Sequence, residues 1–424
     1  MMGGVLVLLY LLGLHTEYGI PRVPCTFVLC GASGLLMLWR WRHRVLRSQF
    51  YSLAGVNLVA MGTVILSPEA PRLWIEGVKA WLQLSYSLTA SYGLYLELST
   101  WRPATLGRCA GWGILLCLAG FALEIECRPF RAVSDAFRNA ITDGSVFLYG
   151  QGESGGGAWS VERDLALAGH LRPSFFAREP SHAAYTLVLL LTTWYGLTQA
   201  RHKILLYMAA LALAFKLTGS PTMLGAAVAF VATWLDDLLT PGSSVRRAPG
   251  LSLVLALLVV PIGVAAVTLF GSRFSPKKAD LSSCLRTVLP YQIAWRTLGE
   301  HPAFGIGLNE IETYEDVLWR EAVNLAAERG LARDVVENGN LISLLCNSFC
   351  EIPIYFGLVG GLALFYHIRN VIRYFGVGRY CYTICIMVAL MNTFGGMVSA
   401  RSWSSLMLIL AVASARHRRS AETL

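Results

Sequence analysis

Charged residues are scarce in this chain. Asp, Glu, Lys and Arg make up 14% of 424 residues, against 55% hydrophobic residues, whereas a soluble domain devotes roughly a quarter of its residues to charge. A soluble enzyme is thereby excluded. Acidic residues are the scarcer sign, 26 against 35 Lys and Arg, which leaves a net charge of +9. Much of that basic excess falls in short gaps between apolar runs, where it orients membrane segments, so no nucleic-acid partner is expected. Metal-ligand spacing is lacking among the 10 Cys and 8 His, and neither a metal site nor a cofactor is expected. Most cysteines lie in or beside apolar runs and act there as small hydrophobes. Only Cys127 and Cys284 fall in polar stretches, where an oxidising exterior would allow them one disulfide. The opening Met1-Met2-Gly3-Gly4 has no basic residue, and no small-x-small cleavage pattern follows, so the first apolar run reads as a retained span. Residues 150–158 are glycine-rich but lack the Lys and following helix of a phosphate loop, which leaves a hinge or linker.

What is present is a succession of apolar runs of spanning length, near residues 3–19, 22–39, 51–67, 74–98, 109–125, 183–199, 204–217, 221–239, 250–270, 341–366, 380–398 and 402–415. These predict an all-α membrane protein of about twelve spans. Placing Arg40-Trp41-Arg42-His43-Arg44 inside puts the other basic gaps inside as well, among them Arg102, Arg108, Arg201, Lys203, Arg246, Arg247, Arg369, Arg373 and Arg416 to Arg419. Both termini are then cytoplasmic. The chain divides into N-terminal spans (1–125), a first external loop (126–182), central spans (183–270), a second external loop (271–340) and C-terminal spans (341–424). Broken helices at membrane depth need protein or a cavity around them, so the breaks at Thr218-Gly219-Ser220-Pro221 and around Arg401 predict a polar cavity on the outer side faced by Lys216 and Arg401, with snorkelling of the two side chains to the interface as the alternative.

Arginines gather where these two loops meet the membrane. Arg172 and Arg178 lie in Leu171-Arg172-Pro173-Ser174-Phe175-Phe176-Ala177-Arg178-Glu179-Pro180-Ser181, while Arg273 and Arg286 lie in the second loop. Arginine stays charged at any working pH and presents a planar fork matched to phosphate oxygens, which points to an anionic, lipid-linked substrate held at one membrane face. Headgroup anchoring is the simpler alternative for any one of them. In the second loop Arg286 to Leu298 suits an interfacial helix ended by His301-Pro302, and Ile311 to Val336 suits an amphipathic lid or a solvated packing helix.

The residues resemble those of the bacterial O-antigen and exopolysaccharide polymerases and the related O-antigen ligases. The likeness rests on Arg172 to Ser181, on Thr218-Gly219-Ser220, on Arg286 with His301-Pro302-Ala303-Phe304-Gly305-Ile306-Gly307, and on Asn347-Ser348-Phe349 leading to Gly357-Leu358-Val359-Gly360, all in that family's order. It implies a GT-C-like fold in the inner membrane, with two large periplasmic loops. It also implies metal-independent glycosyl transfer between undecaprenyl-diphosphate-linked donor and acceptor glycans, among membrane lipids and beside a chain-length regulator. Phe175 stands where the signature carries Gly, and Cys346 where the ligases carry His. A thiol with a pKa near ~8.5 is a poor base towards a sugar hydroxyl, so polymerase is favoured over ligase.

The chemistry asks for cations to stabilise charge developing on the diphosphate and a base for the acceptor hydroxyl. Arg172 and Arg286 are the catalytic candidates for the first task, and Glu179 or His182 for the second. Arg178, Arg273, Arg401, Tyr291 and Asn347 are candidates for binding substrate. A flippase or transporter for the same lipid would share the spans and buried arginines, and an assembly scaffold would tolerate their replacement. The topology is tested with a membrane-impermeant thiol label on intact cells: Ser154→Cys should label and Ser243→Cys should not. Labelling at Ser243→Cys would invert the central spans.

Overall fold

The computed structural model describes residues 2–16, 28–67, 70–137, 172–177, 180–200, 202–239, 289–308, 315–328, 348–375 and 396–422. The described residues form helices without a strand: α1 (Met2–Thr16), α2 (Val28–Arg40), α3 (Arg47–Leu66), α4 (Ala70–Ser99), α5 (Pro103–Glu126), α6 (Pro180–Leu197), α7 (Lys203–Thr218), α8 (Leu224–Leu239), α9 (Leu289–Glu300), α10 (Glu315–Glu328), α11 (Ser348–Phe375) and α12 (Ala400–Glu422). The ten other expected apolar runs each carry a helix, while 250–270 and all of 380–398 but its last three residues lie outside the described residues. Among the described residues α3, α5 and α11 are long and apolar enough to cross a membrane, and α1, α2 and Leu224–Leu235 are shorter apolar helices. Residues 128–137, expected within a loop, are helical.

Helices are what such a sequence must form, because a backbone amide placed among apolar side chains has no water to bond and must pair within its own segment. The bundle buries one side of each helix and exposes large apolar groups on the other. Tyr10, Val56, Phe121 and Ile368 are buried, whereas Leu8, Leu58, Trp112 and Leu362 are exposed, as lipid-facing surfaces require. Inside, α4 packs between α2 and α12, α3 lies along α11, and α5 lies along α6.

The two ends of the bundle differ in chemistry. At one end Glu97 of α4 is buried, accepts the indole N–H of Trp41 at 2.6 Å and of Trp101 at 3.2 Å, and pairs with Arg40 at 3.6 Å. The guanidiniums of Arg40 and Arg44 lie over the Trp41 ring. Arg418 donates to the Ser99 carbonyl, and Tyr95 donates to the Phe375 carbonyl at 2.6 Å, so α4, α11 and α12 share this basic end. The described parts of the family-like motifs lie at the opposite end, where α1 and α5 finish and α6, α11 and α12 begin.

Two breaks near that opposite end are built from sequence. Between α7 and α8, Gly219 turns left-handed (φ 53°) and its amide bonds the Phe215 carbonyl at 2.9 Å. The hydroxyls of Thr218 and Ser220 each accept the amide two residues on, at 3.4 Å. The buried break is therefore satisfied by its own side chains. Of the two alternatives for these cations, Lys216 takes the surface, exposed on α7, while Arg401 is buried. A long flexible ammonium reaches the surface from a helix end more cheaply than it is desolvated.

The second break joins the other two motifs. α11 is interrupted at Gly357 (φ 61°, ψ −160°), and the segment after α9 docks into the gap. The Ile306 amide bonds the Ile354 carbonyl at 2.9 Å, and the Leu358 and Val359 amides bond the carbonyls of Pro302 (2.7 Å) and Ala303 (2.9 Å). Ser67 adds a bond to the Ile306 carbonyl at 2.6 Å. A Cβ on Gly357 would lie 2.6 Å from the Ala303 carbonyl carbon, and the backbone region it occupies is essentially reserved for glycine, at about 1–3 kcal/mol for other residues. Gly357→Ala should therefore lower the melting temperature of the detergent-solubilised protein and its folded yield. An unchanged melting curve would show that this interlock is not tight.

Candidate functional site

The Arg172-bearing segment runs from 172 to 177 between α5 and α6 as a turn held by side chains. Glu124, in the last turn of α5 and buried, accepts the Ser134 hydroxyl (3.2 Å), the Ser174 amide and hydroxyl (both 3.3 Å) and the Phe175 amide (2.5 Å). The Ser134 hydroxyl accepts the Phe176 amide at 3.1 Å. From α1, His15 Nε2 reaches the Phe175 carbonyl at 2.6 Å and Nδ1 reaches the Thr186 hydroxyl at 3.1 Å. A carbonyl only accepts, so Nε2 carries the proton.

Phe175 and Phe176 both adopt positive φ, 46° and 66°, where a bulky L residue is strained. Phe175 occupies the place at which the resembling signature has Gly, and its left-handed backbone is the conformation Gly would adopt freely. Packing offsets the strain. The Phe175 ring meets Phe121, Phe130, Phe176 and His15 at centroid distances of 5.5–6.3 Å and lies against bare Gly120, where a Cβ would come within 2.2 Å of it.

Arg172, at the start of this turn, is buried, and Pro180 then opens α6. His182 lies in the first turn of α6, with its carbonyl accepting the Thr186 hydroxyl at 3.3 Å. Arg401, in the first turn of α12, is buried with its guanidinium 5.4 Å from the centroid of the Tyr185 ring, and the Tyr185 hydroxyl bonds the Arg401 carbonyl at 3.3 Å. His15 lies within electrostatic reach of both His182 and Arg401. The structure thus brings together the 172–177 turn, His182 and Arg401 around the end of α1. A buried guanidinium such as that of Arg401, against the Tyr185 ring where charge is poorly screened, is chemically able to bind an anionic oxygen.

Next to this lies the start of α11. Glu351 is buried and accepts the Met397 amide at 2.5 Å, and the Trp403 indole caps the Met397 carbonyl at 2.8 Å. Tyr291 of α9 is exposed along one side and hydrogen-bonds the Cys350 thiol, which places it beside the α11 start rather than on the 172–177 turn. α10 is fastened to α9 through Arg296, which bonds Glu300 at 3.0 Å and also Glu321. Those two carboxylates, Glu300 first, raise the Arg296 pKa further above its ordinary value. Ala322 is buried beneath α10, and Trp319 and Val323 pack on the core. Arg178, Glu179, Arg273, Arg286 and Asn347 lie outside the described residues, as does Cys284, the expected partner of Cys127.

The family described as WcaD colanic acid polymerase matches residues 146–417. The chain belongs to that family. No curated protein and no solved structure matches the chain. The WcaD match takes in the 172–177 turn, both helix breaks, His182 and Arg401. It leaves out Glu124, Ser134, Gly120 and His15, although these hold the turn. Sequence reasoning passed over His15, Glu124 and Glu351, and the signal that could have found them is simple: each is an ionisable residue within an apolar run, where a desolvated charge persists only with partners.

Proposed function

We propose that the protein is a glycosyltransferase that joins lipid-linked oligosaccharide repeat units into a polysaccharide, working without a metal at the outer face of the bacterial inner membrane. The reading is supported by the WcaD match together with the meeting of the 172–177 turn, the start of α6 and the start of α12 around the end of α1, at the bundle end opposite the basic, Trp-lined end. Positive charge on short connections marks the cytoplasmic side, which leaves the motif-bearing end for the periplasm.

In this reading the donor glycan is bound through undecaprenyl diphosphate. Arg172 and Arg286 hold the diphosphate oxygens, backed by Arg178, Arg273 and Arg401. The acceptor hydroxyl oxygen forms a bond to the anomeric carbon as the bond from that carbon to the diphosphate oxygen breaks. Undecaprenyl diphosphate departs with the electron pair, and Glu179 or His182 takes the hydroxyl proton. The diphosphate is already a good leaving group, so guanidiniums that stabilise its developing charge and fix its orientation supply most of what the transfer needs. Tyr291 and Asn347 contact glycan, and a chain-length regulator sets how often the product is extended.

Deleting the gene tests this reading. Cells should retain single repeat units on carrier or acceptor while long chains vanish, and a plasmid copy of the wild type should restore them. Long polymer accumulating on undecaprenyl diphosphate, with none transferred to lipid A-core, would make the protein a ligase instead.

A further inference from the structure

We infer that Glu124 and His15 are positioning residues for this transfer: from two helices outside the family match they hold the 172–177 turn in a backbone conformation it would not keep alone, and so fix where Arg172 stands. The inference rests on the polymerase reading for what Arg172 does, but its geometry is independent of that reading.

The polar groups of the turn are claimed almost wholly by side chains. The amides of Ser174 and Phe175 go to Glu124, the Phe176 amide goes to Ser134, and the Phe175 carbonyl goes to His15. Only the Ala177 amide closes back within the turn, on the Ser174 carbonyl at 2.9 Å. Two consecutive phenylalanines at positive φ would relax to the ordinary region if these anchors were removed. Arg172 is separated from the anchored Ser174 by Pro173 alone, and the proline ring fixes φ near about −65° while restricting the residue before it. Displacing Ser174 therefore displaces Arg172.

Glu124 is suited to this task by being a carboxylate. Oε1 accepts three donors and Oε2 a fourth. An amide of the same shape keeps one acceptor oxygen and turns its NH2 towards an N–H or O–H, so Glu124→Gln tests the hydrogen bonding while leaving volume unchanged. A carboxylate that merely finished α5 would need no donors from fifty residues away.

The experiment measures kcat and KM for a purified lipid-linked repeat unit, per folded molecule, in wild type, Glu124→Gln, Ser134→Ala, Arg172→Ala and the double variant Glu124→Gln/Arg172→Ala. A misplacement of about 1 Å in a positioning group costs on the order of a hundredfold in rate. Glu124→Gln should therefore lose about ten- to a hundredfold in kcat/KM, and Ser134→Ala a few-fold. The double variant should lose little more than Arg172→Ala alone, because residues acting through one another are not additive. Wild-type kcat/KM per folded molecule in both Glu124→Gln and Ser134→Ala, or a full additive loss in the double variant, would overturn the inference. If Glu124→Gln yields no folded protein, Ser134→Ala decides the matter. Absence of turnover in the wild type would remove the polymerase reading, and the inference with it.

Discussion

A backbone that leaves a helix within an apolar bundle must find a partner for every amide and carbonyl it frees, since no water is there to take them. That constraint shapes each irregular segment described above, and this chain answers it in three ways. The break after α7 uses the hydroxyls of Thr218 and Ser220 on their own neighbouring amides. The break in α11 uses a second backbone, that of Pro302 to Ile306, admitted because Gly305 and Gly357 bring no Cβ to the contact. The 172–177 turn uses side chains from distant helices, Glu124 and His15. Each answer also fixes a described part of a motif in place: Thr218 to Ser220, Pro302 to Ile306 with Gly357, and the 172–177 turn.

Charge follows the same logic. Glu97 at the basic end is desolvated but takes two indole N–H donors and Arg40, with aromatic faces beneath the arginines. At the other end Glu124 and Glu351 are buried and accept backbone amides, those of Ser174 and Phe175 for Glu124 and that of Met397 for Glu351. A desolvated carboxylate persists where such donors are fixed by the fold, so each buried acid also pins the backbone that satisfies it.

Much of the architecture was legible in the sequence. Apolar runs such as 51–67, 109–125 and 402–415 became α3, α5 and α12, because length and hydropathy govern a helix in an apolar medium. His301-Pro302 ended α9 as expected, and Thr218-Gly219-Ser220 marked a real break. Three things were not legible. Whether Lys216 faced a cavity or the surface stayed open, because hydropathy cannot tell which face of a helix a residue occupies. Phe175 looked like a departure from the signature, since the left-handed turn that accommodates it depends on bare Gly120 and on Glu124, some fifty residues away. His15 meets Phe175 across 160 positions of sequence, and no local pattern encodes such a contact.

The central claim is that this end of the bundle transfers glycan from a lipid diphosphate to a second repeat unit. Purified protein in liposomes, supplied with one defined undecaprenyl-diphosphate-linked oligosaccharide, tests it directly. The account predicts release of undecaprenyl diphosphate together with a ladder of products that lengthen by whole repeat units. Intact substrate, or substrate moved across the bilayer without a new glycosidic bond, would contradict it.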